Sequence, residues 1–287
     1  MIEMKFTGER LVPSLLNRHG VTEHLHRYAL AIEIVKNKIV LDIASGEGYG
    51  SNLLSDYALK VYGVDIDKES VEHAQRKYVN ENKTNLKFLI GSTSVIPLED
   101  ESVDVVISFE TIEHHNEHEQ MMKEIKRVLQ KNGTLLISSP ERSIYKERDP
   151  NNPFHIKELN FNEFRSLIEV HFKHSFFFTQ RFVAGSLIQG ETSSSFKTYQ
   201  GNYNEIQTGL NIEEVPFYNR PYFNMAICSD EEVNDLSFAS FFDGAGVLRS
   251  EVNDIKMKFI KSPEYRLGKA VLRKFPFLKK FLQRRSL

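Results

Sequence analysis

The run ETIEHH, residues 110–115, brings two carboxylates and two imidazoles together directly after the apolar stretch VDVVISF. Glu110, Glu113 and His114 stand at i, i+3 and i+4, so a helix starting there would place all three on one face. Such side chains can bind a divalent metal ion or move a proton during catalysis. The run therefore predicts a chemical site at the end of a buried strand.

A second segment, NPFHIKELNFNEF, follows a later predicted strand and carries His155. Because the carboxyl ends of parallel strands meet at one edge of a sheet, we expect His155 to lie beside the ETIEHH run. An alternative needs no metal: Glu113 caps a turn, and His114 packs beneath a cofactor. In both cases we expect His115 to point away from the shared face and to be incidental.

Three glycines, Gly46, Gly48 and Gly50, follow the first predicted strand in the run VLDIASGEGYGS. Glycines at the carboxyl end of a strand let the backbone approach a ligand closely. Asp65 ends the next predicted strand, in the run GVDID, about twenty residues later. Its carboxylate is placed to accept hydrogen bonds from both ribose hydroxyls of an adenosine-containing ligand.

The glycine loop separates two classes of adenosine cofactor. A dinucleotide site uses G-x-G-x-x-G and keeps a helix N-terminus free for pyrophosphate, whereas here position 51 is Ser and Glu47 lies inside the loop. An acid ahead of the loop, Asp42, suits a cationic cofactor that ends in an amino acid. We therefore expect S-adenosylmethionine (SAM), and a nicotinamide-dependent oxidoreductase is disfavoured.

Apolar runs of strand length alternate with helical segments from Lys38 to about Phe182, which predicts an α/β fold with a mostly parallel sheet. The predicted strands are 39–43, 60–65, 86–90, 103–109 and 134–139, with a late strand in 220–229. The predicted helices are 50–57, 68–82, 117–131 with a stop at Asn132 and Gly133, one capped by Thr22, and one after residue 158.

These elements predict an N-terminal cap and helix (1–37), a main domain (38–230) and a C-terminal extension (231–287). A polar insertion within the main domain, 184–219, is expected to shape the acceptor site. The last 32 residues, from Lys256, hold eleven Lys or Arg and one acid, a net charge of +10 that leaves −12 elsewhere. We expect this tail to form a basic amphipathic helix that contacts a membrane surface, or one that docks on the body or a second subunit.

The ordered series VLDIASGEGYG, GVDID, IPLEDESVDVVISFETIEHH and MKEIKRVLQKNGTLLISSP resembles the class I SAM-dependent methyltransferases across residues 38–180. The resemblance implies a Rossmann-like fold with a mostly parallel seven-stranded sheet and helices on both faces. It assigns the methionine end of SAM to Asp42, Ala44, Gly46 and Gly48.

The same resemblance assigns the ribose and adenine of SAM to Asp65 and Ile66, with Glu110 as a further cofactor contact. Where the family usually has an acid near the adenine amino group, this chain has Ser92 and Thr93. A hydroxyl can still accept a hydrogen bond, but we expect it to discriminate adenine less well than a carboxylate.

The opening FTGERLVP and the segment EHLHRY resemble methyltransferases found with bacterial surface-polysaccharide and sugar-modifying enzymes. That similarity implies methyl transfer to a sugar hydroxyl of a glycan or nucleotide-sugar. ETIEHH with His155 resembles the metal site of small-RNA 3′-terminal 2′-O-methyltransferases, which implies Mg²⁺ or Mn²⁺. The implied ligands are Glu110, Glu113, His114 and His155, and the last three are the implied catalytic residues.

No apolar run approaches the roughly 20 residues that span a bilayer, and the N-terminus MIEMKFTGER lacks a secretory signal. We therefore expect a cytoplasmic protein, peripheral at the inner face of the membrane through its tail. Two alternatives remain: an RNA 2′-O-methyltransferase, which the −12 outside the tail disfavours, and a non-catalytic SAM-binding partner in a membrane-associated assembly. The acceptor and the oligomeric state stay open.

Overall fold

The computed structural model describes residues 18–79, 83–150, 152–183, 198–201, 212–215, 221–232 and 240–275. The chain divides into two compact units, residues 1–241 and 242–287. The first unit holds the sheet and all the candidate site residues, and the described part of the second unit contains two helices. The predicted insertion 184–219 lies outside the described residues, apart from two short strands.

Seven strands form one sheet in the first unit, and two more form a separate hairpin. In chain order they are β1 (Ile39–Ile43), β2 (Lys60–Asp65), β3 (Leu86–Ile90), β4 (Val103–Ser108), β5 (Leu129–Pro140), β6 (His174–Gln180), β7 (Thr198–Gly201), β8 (Ile212–Val215) and β9 (Phe223–Ser229). The spatial order of the large sheet is β3-β2-β1-β4-β5-β9-β6, and β7 pairs with β8. Only β9 runs antiparallel to its neighbours in the large sheet. The predicted Rossmann-like, mostly parallel seven-stranded sheet is confirmed.

Helices connect the strands and continue into the second unit. They are α1 (Arg18–Val35), α2 (Tyr49–Leu54), α3 (Lys68–Tyr78), α4 (His118–Val128), α5 (Arg142–Arg148), α6 (Phe161–His171), α7 (Ala245–Lys261) and α8 (Pro263–Lys274). Side-chain caps fix several starts: Asp67 accepts from the Ser70 amide ahead of α3, and Asn160 forms a capping box with Glu163 ahead of α6. Within the described part of the chain, each helix is too short or too polar to cross a membrane.

Apolar side chains form two buried clusters that hold these helices to the sheet. One cluster includes Met121 and Ile125 of α4 with Phe164 and Ile168 of α6. The other includes α1 residues such as Ala31 and α3 residues such as Ala74. Burying each large apolar side chain contributes about 1.5–3 kcal/mol, so the clusters rather than helix propensity fix where the helices lie.

Several predicted boundaries are wrong, among them one predicted helix start and one predicted helix stop. α1 already includes Arg18, so Thr22 is a buried residue inside the helix and not its N-cap. α4 ends at Val128 and β5 begins at once with Leu129, so Asn132 and Gly133 belong to a strand. Leu129 pairs with Val103 of β4, and this sheet pairing takes the place of the predicted last helical turn.

Candidate active site

A cavity of about 890 Å³ lies at the carboxyl ends of the parallel strands, next to the reversal of strand order between β1 and β4. Open α/β sheets bind ligands at this place. Its walls include the loops that follow β1 to β4, the segment from Tyr145 to His155 and part of α1. The volume is near the upper end of the range for small-molecule sites, about 300–1,000 Å³.

Left-handed backbone shapes the glycine loop after β1. Ala44 has a φ of 60°, Gly46 of 54° and Gly48 of 84°. A Cβ at Gly46 would meet no atom within 4 Å, whereas a Cβ at Gly48 would lie 2.7 Å from atoms of Ala74 and Phe88. Gly46 lines the cavity and Gly48 does not, so Gly48 permits close packing on α3 and β3 while Gly46 leaves open space for a ligand.

Asp65 ends β2 and lines the cavity with its neighbour Ile66. Its two carboxylate oxygens each accept one backbone hydrogen bond at 2.8 Å, one from Gly46 and the other from Asp67. A carboxylate has about four lone-pair sites, so Asp65 keeps the capacity to accept from ribose hydroxyls. Ile66 is 75% exposed, and it provides an apolar wall beside that carboxylate.

Asp42 lies below the loop and does not line the cavity. Its carboxyl group accepts hydrogen bonds from Ser51 Oγ at 2.6 Å and from the Tyr28 hydroxyl at 3.3 Å. Burial raises the pKa of Asp42 to about 7, and the two hydrogen bonds only partly oppose that rise. In this structure Asp42 holds the loop through these two hydrogen bonds, and its predicted contact with the amino-acid end of SAM stays a prediction.

Two buried polar atoms of the glycine loop show that the loop suits a polar ligand. Ser45 Oγ and Glu47 Oε2 have no hydrogen-bond partner among the described residues, and both residues line the cavity. The other oxygen of Glu47 pairs with Lys77 of α3, and it lies 3.4 Å from His73 Nε2. Because unsatisfied buried polar groups are costly, these atoms fit the charged, hydrogen-bonding methionine end of SAM.

Ser92 and Thr93 line the cavity after β3, and His115 joins them. His115 Nδ1 accepts from the Glu117 amide at 3.2 Å, so its Nε2–H donates to Thr93 Oγ1 at 3.3 Å. Desolvation and the nearby His118 lower the pKa of His115, which keeps this ring neutral at neutral pH. The expectation that His115 is incidental is wrong.

Glu113, His114 and His155 form the compact cluster of the cavity, with one possible ligand atom from each within 4.8 Å of the others. Glu113 lies in a short 3-10 helix (Ile112–His114) and its side chain is 1% exposed. The Glu113 carbonyl accepts from the amides of Ile156 and Lys157 at 2.8 and 3.0 Å. These hydrogen bonds bring the two predicted segments together.

Both imidazoles of this cluster are oriented through Nδ1. His114 Nδ1 lies 3.1 Å from the Phe154 carbonyl, which only accepts, so Nδ1 carries the proton. His155 Nδ1 lies 2.6 Å from a carboxylate oxygen of Glu158, and its ring stacks on Tyr145 at 5.3 Å. In the neutral rings the lone pair is then on Nε2, the ring atom that can bind a metal ion or accept a proton.

Glu110 stands apart from this cluster, so the structure does not bring the four predicted ligands together. Its φ of 49° ends β4 in a left-handed turn, and no helix begins there. The Glu110 carboxylate accepts from Ser138 Oγ at 2.6 Å and lies 3.8 Å from Nη1 of the buried Arg27. It still lines the cavity, outside the group of three side chains whose ligand atoms lie within 4.8 Å of one another.

Sequence reasoning missed the wall that α1 contributes to the cavity. Glu23, His24 and Tyr28 line it, and His24 Nδ1 lies 3.0 Å from the hydroxyl of Tyr49, the first residue of α2. In the segment EHLHRY, Glu23 and Arg27 stand at i and i+4, as do His24 and Tyr28. Polar pairs at this helical spacing, ahead of the first strand, are the signal that could have found this wall.

Comparison with known proteins identifies similar sequences and folds. Residues 41–137 match the family model described as "Methyltransferase domain". A "Probable S-adenosylmethionine-dependent methyltransferase" of Mycolicibacterium smegmatis is 36% identical over 169 residues, which cover 58% of this chain and 64% of that protein. A relative of the same description from Mycobacterium tuberculosis is 34% identical, over 58% of this chain and 60% of its own length. The chain thus spans less than two thirds of either relative.

A solved SAM-dependent methyltransferase from Archaeoglobus fulgidus has the same fold, with a TM-score of 0.52 at 15% identity over 74% of this chain and 94% of that chain. At this identity the likeness concerns the fold alone. The match over 41–137 includes the glycine loop, Asp65 and the ETIEHH run. Residues 41–137 therefore match a methyltransferase domain in sequence, and the chain has the fold of a solved SAM-dependent methyltransferase.

Proposed function

We propose that the chain is a SAM-dependent O-methyltransferase whose acceptor is a sugar hydroxyl. The observation that carries the proposal is that Glu113, His114 and His155 share one cavity with Gly46 and Asp65. A proton acceptor and the cofactor groups are thereby in one chamber. The domain match and the named relatives support the reaction class, and the resemblance of FTGERLVP and EHLHRY to sugar-modifying methyltransferases supports the acceptor.

His114 is the proposed proton acceptor. Bound SAM supplies an electrophilic methyl group on a sulfonium, and a sugar hydroxyl must lose its proton as it attacks. In the proposed step that proton passes to His114 Nε2 while the C–O bond forms and the C–S bond breaks. The products are a methyl ether, a neutral thioether and an imidazolium, so atoms and charge balance. Glu113 Oε1, 3.9 Å from His114 Nε2, stabilises the imidazolium.

A divalent metal ion at Glu113, His114 and His155 is the alternative form of the proposal, because Nε2 of His114 cannot bind a metal ion and accept the proton at the same time. Bound there, it would lower the pKa of a coordinated hydroxyl, as such ions do for water. Because Glu110 lies outside the cluster, the ligand set has two nitrogens and one carboxylate, richer in nitrogen than the sequence predicted. Such a set favours Mn²⁺ over Mg²⁺, which prefers oxygen ligands. Glu158, hydrogen-bonded to His155 Nδ1, fixes that ring as a ligand.

The test is a methyltransferase assay on a panel of sugars with metal-stripped protein, with Mn²⁺ or Mg²⁺ added back. We expect the chelator to lower the rate by about 10-fold or more and Mn²⁺ to restore it. His155→Ala should raise the Mn²⁺ requirement by about 100-fold, and His114→Gln should lower kcat by about 10²–10⁴-fold. His171→Ala, which changes a histidine paired with Glu119 outside the cavity, is the control.

Two outcomes contradict separate parts of the proposal. Activity that is unchanged by the chelator and by His155→Ala would reject the metal site and leave His114 as the base. Absence of methyl transfer to every hydroxylated acceptor, with SAM still bound, would reject the O-methyltransferase and favour a non-catalytic SAM-binding protein.

We also propose that the C-terminal segment contacts an anionic membrane surface. The +10 charge of the last 32 residues supports this partner. α8 carries Arg266, Lys269 and Arg273 beside the exposed apolar side chains of Leu267 and Val271, and its described residues include no buried one. An apolar stripe beside basic residues is the pattern of helices that lie in a membrane interface. Residues 276–287, which include the predicted kink at Pro276, lie outside the described part of the chain.

A further inference from the structure

We infer that the cavity selects against anionic acceptors, so that the unit methylated is an uncharged sugar of a glycan and not a phosphorylated or nucleotide-linked sugar. This inference rests on the proposed function and narrows its acceptor. It starts from the charges of the cavity wall. Among the described residues that line the cavity, seven are Asp or Glu and none is Lys or Arg.

The seven carboxylates come from several elements of the described wall. Asp65 and Glu47 lie at the end of the cavity that we assign to SAM, Glu113 lies beside the histidines, and Glu110 follows β4. The other three come from α1, the start of α4 and the end of α5: Glu23, Glu117 and Asp149. An anion that enters the described part of this chamber therefore approaches carboxylates.

Two of these carboxylates pair with cationic side chains that do not line the cavity. Lys77 of α3 pairs with Glu47, and the guanidinium of the buried Arg27 lies 3.8 Å from Glu110. Both cations are engaged by protein carboxylates, and neither lines the cavity. Sites that bind phosphate commonly present Arg or Lys side chains or backbone amides to it, and the described wall offers no such cation.

The proposed ligands agree with this charge distribution. SAM carries a net positive charge, which an acidic chamber attracts, whereas a phosphate or diphosphate would be repelled in a partly desolvated space. A divalent ion at Glu113 would add two positive charges to a wall of seven carboxylates, which leaves the wall acidic. Like-charge repulsion of this kind is a common way to reject a competing ligand.

The test uses matched acceptors that share one sugar and therefore the same hydroxyls. For each sugar, kcat/KM is measured for the methyl glycoside, the sugar 1-phosphate and the nucleoside diphosphate sugar at one fixed Mn²⁺ concentration. We expect the glycoside to exceed both phosphorylated forms on the order of 100-fold. Preference for either phosphorylated form in any series would overturn the inference.

Charge reversal at the cavity rim gives an internal check. Glu117→Lys and Asp149→Lys should each shift the glycoside-to-phosphate ratio toward the phosphate by about 10-fold. Glu119→Lys makes the same charge change in α4, two residues from Glu117, at a residue outside the lining, and it should leave the ratio unchanged. Equal shifts in all three variants would indicate long-range charge and overturn the role of the cavity wall.

Binding without turnover separates this inference from the proposed function. Methyl glycoside and sugar 1-phosphate are titrated calorimetrically into protein loaded with S-adenosylhomocysteine. A glycoside that binds more tightly than its phosphate but is never methylated would reject the proposed function and keep the charge selection. Tighter binding of the phosphate would reject the charge selection, whether or not methyl transfer occurs.

Discussion

At the residue scale, two acids that the sequence predicts as ligand contacts form hydrogen bonds or ion pairs with other elements of the protein. Asp42 accepts from Ser51 of α2 and Tyr28 of α1, so it ties both helices to β1. Glu110 accepts from Ser138 of β5 and faces Arg27 of α1. The residue type alone does not tell whether an acid contacts a ligand or orients the cavity wall. Acids of both kinds lie at strand ends beside the cavity.

Asp42 should make the free energy of unfolding depend on pH. Its pKa of about 7 in the folded protein lies above its usual value of 3.8, so the folded state holds a proton that the unfolded state has lost. The resulting stabilisation is fully present below pH 3.8 and is lost as the pH rises through about 7. We expect urea unfolding at pH 4.5, 6 and 8 to show a decline on the order of a few kcal/mol from this group.

The variant Asp42→Asn should remove most of that decline, because an amide does not titrate. Asp56→Asn, at a surface aspartate that pairs with Lys83, is the control and should keep the decline of the unchanged protein. A decline in Asp42→Asn as large as that in the control would show that other groups cause it.

At the element scale, α1 is part of the active-site wall although the matched segment 41–137 begins after it. Arg27 lies at the centre of its inner face, donates to Gln180 of β6 at 2.6 Å, and places its guanidinium 4.7 Å from the ring centre of Phe223. Through Glu110 the same guanidinium reaches the end of β4. One buried cation thus joins α1 to three strands, β4, β6 and β9.

We therefore expect the loss of Arg27 to lower the free energy of unfolding by more than an ordinary substitution does. We expect Arg27→Met to lower the free energy of unfolding by about 3 kcal/mol, because it leaves the Glu110 carboxylate without its buried partner. In a double-mutant cycle, Arg27→Met with Glu110→Gln should destabilise by less than the sum of the single changes, with a coupling of about 1 kcal/mol or more.

The matched control is the exposed pair Arg165 and Glu169 on α6, one helical turn apart. Its coupling in the same urea-unfolding cycle should be about 0.5 kcal/mol or less. A coupling between Arg27 and Glu110 no larger than this would show that α1 is held by its apolar contacts alone.

At the scale of the whole molecule, local sequence patterns predicted the sheet and the position of the cavity. They predicted less well which side chains contact one another around that cavity. Strand periodicity and the glycine loop are local, and each β1 to β4 strand end follows from a short stretch of sequence. The contact between Arg27 and Gln180 joins residues 153 positions apart, and no local pattern encodes it. The turn at Glu110 depends on the positive φ of that residue, and a glutamate in the sequence does not predict a positive φ.

The second unit gives a last prediction, that the protein sediments with anionic vesicles. Each Lys or Arg near an anionic surface contributes about 1 kcal/mol at low salt, and apolar side chains add to this by insertion. Leu267 and Val271 of α8 are 68% and 38% exposed, so both are accessible for insertion. Intact protein should bind phosphatidylglycerol vesicles, bind phosphatidylcholine vesicles weakly, and lose binding as salt rises, because the Debye length shortens.

The double variant Leu267→Glu/Val271→Glu should bind anionic vesicles about 10-fold less or worse, since it removes the apolar stripe and adds two negative charges. Val170→Glu, at a residue 75% exposed on α6 in the first unit, is the matched control and should bind like the unchanged protein. Equal sedimentation of the double variant and this control, or equal binding to both kinds of vesicle, would rule out α8 as a membrane contact. In that case we expect the basic tail to bind a protein partner. The rest of this chain has a net charge of −12, which is complementary to the charge of the tail.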